Sequence, residues 1–274
     1  MSDYQHIRVE SISTALGAVI HGIDCRSELP DPVIDEIRQA WLQHLVVFFQ
    51  EQDLEPAEQL AFARRFGLPV KYPMIEGMSE FPEVVQVVKL PHEKNNFGGI
   101  WHSDTTYLEE PPIGALLFAR EVPKVGGDTL FANMYLAYET LSTGLKTMLD
   151  SLIVVQSSAK AGASRSREER LLDESAVAEQ VLEAEHPVVC AHPETGRKAL
   201  FVNYGHSIRF KNMTEGESKP LLDYLFAHQT RPEFTCRFQW AVGSMAMWDN
   251  RCTQHNPIND YHGFKRVMHR ISIN

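Results

Sequence analysis

The chain has 274 residues, of which 43% are hydrophobic and 23% charged, a composition typical of a globular protein with one large core. Its formal net charge of −10 argues against a nucleic-acid partner, because such partners are bound through clustered lysine and arginine side chains. The four cysteines include no C-x-x-C pair, which argues against a zinc ribbon or a disulfide scaffold. No secretory leader or membrane-spanning stretch is recognisable, so we expect a cytoplasmic protein without membrane contact.

Two amphipathic helices and a buried strand are predicted in the first third of the chain. The segment from 31 to about 43 has a proline in its second position and repeats apolar residues at helical spacing. Residues 45–49 then form an apolar run typical of a buried strand, and a second helical pattern over 55–66 ends at Gly67. Apolar stripes of this kind indicate core packing rather than function.

Beyond residue 100, short apolar runs separated by turn residues predict a series of strands. Turn signals at 126–127, 193–196 and 242–243 lie where hairpins need them. Two helices are predicted to interrupt the series, at 134–150 and 214–228. The pattern predicts a mainly β fold of the jelly-roll kind with flanking helices. The predicted strands cover 113–120, 128–132, 152–156, 187–191, 199–203, 234–240 and 245–248.

A segment from about 157 to 185 stands apart from the strand series. It begins with small and basic residues and continues as an acidic, helix-like run without a strong apolar pattern. Long inserts of this kind in compact domains are typical of lids and binding loops. We therefore predict a single domain over residues 1–274 with a lid-like insert at about 157–185.

Three residues far apart in the sequence form a candidate metal site. His102 and Asp104 form an H-x-D pair, and residues two apart on a strand point the same way. His255 follows an apolar strand near the end of the chain. Two histidines and one carboxylate leave open the positions that an oxygen-activating iron(II) requires. A zinc hydrolase could use the same three residues, so the pattern alone leaves both alternatives open.

Two arginines near the end of the chain are candidate anion-binding residues. On a strand, Arg266 and Arg270 share one face, so both guanidinium groups would project into the interior. Buried arginines without acidic neighbours call for anionic ligands, because the guanidinium group binds carboxylates bidentately. The alternative is a pair of surface arginines on an edge strand.

From about residue 8 to 274, the sequence resembles the taurine dioxygenase and 2,4-dichlorophenoxyacetate dioxygenase (TauD/TfdA) family. The resemblance implies a double-stranded β-helix, a cupin-like jelly roll, in which His102, Asp104 and His255 bind Fe(II). It also implies that Thr129 and Arg266 bind the distal carboxylate of 2-oxoglutarate. The matching segments are WHSDTTY (101–107), PPIGALLFAREVP (111–123), GGDTLFANM (126–134), LFVN (200–203), WDNRCTQH (248–255) and RVMHR (266–270).

The activity implied by the resemblance is that of an Fe(II)- and 2-oxoglutarate-dependent dioxygenase. Such an enzyme uses O2 and 2-oxoglutarate as co-substrates, releases succinate and CO2, and hydroxylates, desaturates or cleaves a small organic substrate. Phe131 and Trp248 are expected to form aromatic walls near the metal, and residues 249–251 a turn with supporting hydrogen bonds. Alternatives are a jelly-roll zinc hydrolase and a non-catalytic small-molecule binding protein, but zinc would not explain Thr129 together with Arg266.

The primary substrate is expected to be an anionic small molecule bound through Arg270, where family members meet the acidic group of their substrate. Compared with the taurine enzymes, Tyr72 is retained, but Pro69 replaces a histidine and Gly98 an asparagine. Taurine is therefore not expected, and the loop around Gly98 predicts room for a larger, less polar molecule. Tyr72, Gly98 and Arg270 are the candidate substrate-binding residues. A sulfonate, a sulfate ester, an aryloxyalkanoate or a carboxylated natural product would fit, and we expect a homo-oligomer.

Overall fold

The computed structural model describes residues 4–160 and 181–274, and within them the chain is mainly β with five α-helices. The strands are β1 (Arg8–Ser11), β2 (Ala18–His21), β3 (Val46–Phe49), β4 (Pro69–Val70), β5 (Val85–Lys89), β6 (Gly114–Glu121), β7 (Thr129–Asn133), β8 (Ile153–Ser157), β9 (Glu183–Pro187), β10 (Val189–Ala191), β11 (Lys198–Leu200), β12 (Ser207–Phe210), β13 (Thr235–Phe238), β14 (Met245–Asp249), β15 (Thr253–Pro257) and β16 (Arg266–Ile273). The helices are α1 (Asp31–His44), α2 (Pro56–Ala63), α3 (Met134–Glu139), α4 (Thr143–Leu149) and α5 (Glu215–Gln229), and a 3-10 helix covers Pro232–Phe234.

A large sheet forms one layer of the fold. Its strands lie in the order β1-β2-β3-β14-β6-β16-β4, and β5 also pairs with β16. All these pairs are antiparallel except β2 with β3. Two smaller antiparallel sheets, β13-β7-β15 and β12-β8-β9, accompany it. The chain passes from the large sheet to a smaller one at residues 250–252, between β14 and β15.

The interior between the layers is built from aromatic and aliphatic side chains of both. Phe48 on β3 stacks on Phe238 of β13 with ring centroids 3.9 Å apart, and the Phe131 and Trp248 rings lie 5.9 Å apart. All four side chains belong to one continuous apolar cluster. The jelly-roll class predicted from the sequence is confirmed, because strands of two layers enclose this core with helices outside it.

The outer face of the large sheet is covered by α1 and α2. Trp41 of α1 is fully buried in a second apolar cluster together with Phe49 and Phe62. A Cβ on Gly114 would lie 2.7 Å from Trp41 Cζ2, so only glycine lets β6 approach the indole this closely. Burial of an indole of this size stabilises the fold by a few kcal/mol, and truncation to alanine typically costs about 3–5 kcal/mol.

Several predicted element boundaries were wrong, and each has a local cause. The helix predicted over 134–150 is two helices, because the Ser142 side chain accepts a hydrogen bond from Leu145 N and begins α4 separately. The strand predicted over 187–191 is divided between β9 and β10. Strand β12 was not predicted, because it has only four residues and its register with β8 shifts between Ser207 and Arg209.

The predicted insert is shorter than 157–185. Ser157 pairs with Glu183, so both of its ends are strand residues of β8 and β9. Residues 161–180 of the predicted lid lie outside the described residues. No helix in the described ranges is long and apolar enough to cross a bilayer. The single-domain organisation and the homo-oligomeric state stay predictions.

Candidate active site

The two candidate histidine ligands are brought together by a single backbone bridge between distant segments. His102 N donates to His255 O over 3.1 Å, and His255 N donates to His102 O over 2.9 Å. Opposed residues of this kind place their side chains side by side. The imidazole centroids are 4.2 Å apart, and Asp104 Oδ1 lies 3.5 Å from His102 Nε2 and 3.7 Å from His255 Nε2. The three ligand atoms lie within 4.8 Å of one another.

The imidazoles are oriented as metal ligands require. His102 Nδ1 lies 2.8 Å from the carbonyl oxygen of Ile100, which can only accept, so Nδ1 carries the hydrogen and Nε2 presents its lone pair. Burial holds the pKa of His255 well below its ordinary value. His255 is therefore neutral, which leaves a ring nitrogen able to bind a metal.

Asp104 is held in place by hydrogen bonds with Trp248 on β14 and with Asn250 just after it. Its backbone N–H donates to Asn250 Oδ1 over 2.6 Å, and Asn250 Nδ2 donates back to the carbonyl oxygen of Asp104 over 3.0 Å. The carboxylate Oδ2 accepts from Trp248 Nε1 over 3.2 Å. The other oxygen, Oδ1, is buried without a hydrogen-bond partner and is the atom closest to both imidazoles.

The charge state of Asp104 also suits a ligand. Burial alone would raise the pKa of its carboxyl group, but the neighbouring charge of Arg270 outweighs it and holds the pKa below its ordinary value. Asp104 is therefore a carboxylate. The donor set of two imidazole nitrogens and one unpartnered carboxylate oxygen fits a divalent transition metal with three protein ligands.

A cavity of about 440 Å³ extends from these residues into the interior. The aromatic walls expected at Phe131 and Trp248 are present, with ring centroids 6.1 and 4.8 Å from that of His255. Apolar and polar groups therefore face one space, as is typical of small-molecule sites. The cavity is lined by Val87, Phe97, Gly98, His102, Leu117, Thr129, Phe131, Trp248, His255, Pro257, Arg266 and Arg270.

Arg266 and Thr129 line the same cavity. The Arg266 side chain is 5% exposed, and its Nε and Nη2 atoms have no hydrogen-bond partner among the described residues. Burial lowers the pKa of Arg266, which shows that its charge is poorly compensated. Thr129 Oγ1 accepts from Trp240 Nε1 over 3.0 Å, so its hydroxyl hydrogen is available to another acceptor.

Arg270 is also buried and lines the cavity, but the expectation that no acidic group accompanies it was wrong. Its Nη2 lies 2.7 Å from Asp104 Oδ2, close enough for an ion pair although the N–H direction does not make a hydrogen bond. The partner is distant in sequence, which is why a local search missed it. The guanidinium carbon lies 4.8 Å from the centre of the Tyr72 ring, so this predicted substrate residue borders Arg270.

Gly98 packs directly on the first histidine. Its φ of +68° is in the left-handed region, and an added Cβ would lie 3.0 Å from His102 Cε1 and 3.3 Å from Nε2. The glycine therefore does more than widen the cavity, because any larger residue would press on the imidazole.

The supporting hydrogen bonds expected at 249–251 are present, because Asn250 holds both backbone polar groups of Asp104. One residue near the site, His206, was missed by sequence reasoning. It is buried with its ring centroid 6.0 Å from that of His102 and 5.0 Å from that of Tyr107. Burial lowers the pKa of His206 to about 3. No local motif marks it.

Comparison with known proteins agrees with the fold. The family model described as "Taurine catabolism dioxygenase TauD, TfdA family" matches residues 8–272. An alkylsulfatase of Acinetobacter baylyi is 36% identical over 279 residues, covering 98% of this chain and 85% of that protein. An alpha-ketoglutarate-dependent sulfate ester dioxygenase of Pseudomonas putida is 32% identical over 273 residues, covering 97% and 88%.

A solved structure, that of AAD-2 in complex with Mn(II) and N-oxalylglycine, matches with a TM-score of 0.80 at 27% identity, covering 98% of this chain and 97% of that one. The family and the dioxygenase class predicted from the sequence are confirmed. The chain belongs to the taurine catabolism dioxygenase TauD, TfdA family.

Proposed function

We propose that the protein is an Fe(II)- and 2-oxoglutarate-dependent dioxygenase that oxidises an alkyl sulfate ester or a closely related anionic small molecule. The observation that carries this proposal is one cavity lined both by His102 and His255, which lie beside Asp104, and by Arg266. The guanidinium Nε and Nη2 atoms of Arg266 have no hydrogen-bond partner among the described residues. A bidentate 2-oxo acid with a distal carboxylate would meet both.

The metal is proposed to be iron(II), held by His102, Asp104 and His255. Two imidazoles and a carboxylate are the donor set of non-haem iron oxygenases, and the names of the relatives agree with oxygenase chemistry. Bound iron(II) would supply the activation of O2, coupled to conversion of 2-oxoglutarate into succinate and CO2. The protein's own part is to present the ligand atoms, through the Ile100 carbonyl behind His102 and Asn250 behind Asp104.

Arg266 and Thr129 are proposed to bind the distal carboxylate of 2-oxoglutarate. The guanidinium fork has two unpartnered nitrogen atoms, and a buried carboxylate accepting from both would compensate its charge. The Thr129 hydroxyl would donate a further hydrogen bond while Oγ1 still accepts from Trp240. The mutual burial of these groups would make the contact strong and selective.

Arg270 is proposed to bind the anionic group of the primary substrate, with Tyr72 beside it. Because Arg270 contacts the carboxylate of Asp104, an incoming sulfate would compete with that carboxylate for the guanidinium group. Sulfate binding would therefore change the charge environment of Asp104, a proposed metal ligand. The side chains of Val87, Leu117 and Phe97 add apolar surface to the cavity, which suits an alkyl chain. The names of the two relatives favour a sulfate ester over the other classes.

The expected product follows from ordinary chemistry. Hydroxylation of the carbon that bears the sulfate oxygen gives a hemiacetal-type ester. That ester eliminates sulfate as its C–O bond breaks, the hydroxyl loses its proton, and an aldehyde remains. Sulfate release should therefore require O2 and 2-oxoglutarate, in contrast to hydrolysis by a zinc enzyme.

The proposal is tested by a substrate screen with purified protein, iron(II) and 2-oxoglutarate. The panel comprises alkyl sulfates of six to ten carbons, alkyl sulfonates, aryloxyalkanoates and taurine, with succinate and sulfate measured together. We expect alkyl sulfates to give equal amounts of succinate and sulfate. Arg270→Ala should lose this coupling, whereas Arg231→Ala, which removes an exposed arginine, should not. Sulfate release without O2, or no substrate-stimulated succinate, would contradict the proposal.

A further inference from the structure

Lys89, at the end of β5, is a buried lysine whose charge has no direct partner. Its side chain is 3% exposed, and Nζ has no hydrogen-bond partner among the described residues. Burial lowers the pKa of Lys89, although the charge of Glu93 opposes this. A lysine is almost never fully buried without a partner, because an uncompensated ammonium group costs stability.

The sheet register directs Lys89 toward the cavity. In the antiparallel pair of β5 and β16, Lys89 lies directly opposite Arg266, and Val87 lies opposite Met268. Directly opposed residues project from the same face of a sheet, as do alternate residues of one strand. Because Val87 and Arg266 both line the cavity, the Lys89 side chain projects from the same face of the sheet beside Arg266, although Lys89 itself is not one of the described residues that line the cavity.

The two cations share one aromatic neighbour. Lys89 Nζ lies 4.1 Å from the centre of the Tyr261 ring, and the guanidinium carbon of Arg266 lies 5.9 Å from the same ring centre. The face of an aromatic ring attracts cations, but the ring has no net charge and so does not neutralise them. Lys89 and Arg266 are thus a buried cationic pair at one end of the cavity.

Two acidic residues, Asp128 and Glu93, act on this pair through their charge, and each has a hydrogen-bond donor of its own. Asp128 Oδ2 accepts from Arg237 Nε over 2.6 Å, and Glu93 Oε2 accepts from the backbone N–H of Leu90 over 2.7 Å. Neither carboxylate makes a hydrogen bond to Lys89 Nζ. Two positive charges on one wall therefore call for an anion from outside the chain.

We infer that Lys89 is a binding residue for 2-oxoglutarate, supplying a second positive charge to the distal carboxylate beside Arg266. The inference rests on the proposed function and adds a specificity determinant to it. Arg266 offers the bidentate fork, whereas Lys89 acts as a point charge that favours 2-oxo acids with a distal anion over neutral ones. Lys89 takes no part in binding the 2-oxo acid end at the metal.

The test measures ligand affinity rather than turnover. Anaerobic calorimetry of the Mn(II)-loaded protein gives dissociation constants for 2-oxoglutarate and for 2-oxopentanoate, which keeps the 2-oxo acid but lacks the distal carboxylate. Lys89→Met keeps the apolar stem and removes the charge. We expect it to weaken 2-oxoglutarate at least tenfold and 2-oxopentanoate less than twofold, and Lys89→Arg to recover part of the loss. Lys94→Met removes the same charge from an exposed site and should change neither constant.

The outcomes separate this inference from the proposed function. If Lys89→Met weakens both ligands equally, or neither, Lys89 is a structural residue and the inference is wrong while the proposed function stands. If the parent protein does not prefer 2-oxoglutarate, the proposed function fails and the inference fails with it. Should Lys89→Met not fold, Lys89→Gln carries the same comparison.

Discussion

Two clusters of buried side chains in this protein have similar composition but opposite hydrogen-bonding states. The first comprises His102, Asp104 and His255, and the second comprises His192, Asp249 and Cys252; in both, the potential ligand atoms lie within 4.8 Å of one another. Composition and proximity alone would identify each as a metal site. The partners of the individual atoms distinguish them.

The second cluster is saturated by the protein itself. His192 Nδ1 accepts from the backbone N–H groups of Glu194 and Thr195 at 3.2 Å each, so Nε2 carries the hydrogen and donates to Asp249 Oδ2 over 2.9 Å. Arg251 donates to both oxygens of Asp249, over 2.8 and 2.6 Å. In the first cluster Asp104 Oδ1 and His255 Nδ1 have no hydrogen-bond partner within the described parts of the chain. Because buried polar atoms are normally satisfied, these unpartnered atoms favour the first cluster over the second as the proposed ligand site.

One short segment serves both clusters. Trp248 and Asn250 contact Asp104, whereas Asp249 between them contacts His192. Alternate residues of an extended segment point to opposite sides, which explains how β14 can support a ligand site on one side and a structural network on the other. The second cluster thus fixes the segment that orients the first.

The largest expected difference between the clusters is in metal binding. His102→Ala or His255→Ala should reduce Mn(II) or Fe(II) binding and substrate-dependent succinate formation below detection, because each removes one of only three protein ligands. The matched variant His192→Ala should still bind one metal ion, although it should be less stable. Anaerobic calorimetry with Mn(II) measures both. Loss of metal binding in His192→Ala would show that the second cluster is the metal site.

The next effect is on stability. Asp249→Asn removes a buried carboxylate and leaves Arg251 with Glu194 as its remaining acidic partner, so the free energy of unfolding should fall by about 3 kcal/mol. Asp150→Asn breaks an ion pair with Lys198 on the surface and should cost less than about 1 kcal/mol. Urea denaturation compares the two. Equal losses in both variants would mean that the second cluster does not stabilise the fold.

Features set by local sequence periodicity were predicted well. The strand alternation that places Arg266 and Arg270 on one face, and the two-residue spacing of His102 and Asp104, follow from the geometry of extended chain. The aromatic walls and the turn at 249–251 were also anticipated. These features need no knowledge of which strands are neighbours.

Contacts between distant segments could not be predicted from the sequence. The pairing of Arg270 with Asp104 and of His192 with Asp249 depends on the order of strands in the sheets, which the sequence pattern does not specify. The position of Gly98 against His102 depends on the path of a loop. Sequence reasoning therefore identified the candidate ligands and the turn that supports them, but not the contacts of Arg270 and Gly98 with them.

A smaller effect is expected from steric pressure on the first cluster. Gly98→Ala adds a Cβ 3.0 Å from His102 Cε1 at a backbone φ of +68°, so the imidazole must shift and metal affinity should fall about tenfold, or roughly 1.4 kcal/mol. Gly196 has the same φ of +68°, and an added Cβ there would meet no atom within 4 Å. Gly196→Ala therefore introduces the same backbone strain as Gly98→Ala without the steric contact. Metal titration should distinguish them. Equal affinities would show that the His102 ring adapts freely.

The last expected effect is a pH dependence of stability from His206, beside the first cluster. Its folded-state pKa of about 3 lies below the value near 6.5 of an unfolded histidine. Below pH 6.5 the unfolded chain therefore binds a proton that folded His206 does not. The stability this residue contributes is fully present above pH 6.5 and is lost as the pH falls toward 3, by roughly 1 kcal/mol per pH unit.

His206→Gln should flatten this part of the stability profile. Free energies of unfolding are measured in EDTA between pH 7.5 and 5, so that metal binding does not contribute. The parent should lose more stability on acidification than His206→Gln, whereas His262→Gln, which replaces an exposed histidine, should follow the parent. If His206→Gln also follows the parent, acidification does not act through His206, and the destabilisation must come from the other buried histidines such as His186 and His255. In that case the His206 ring does not affect the first cluster. The difference between the two clusters then lies only in the unpartnered ligand atoms of the first.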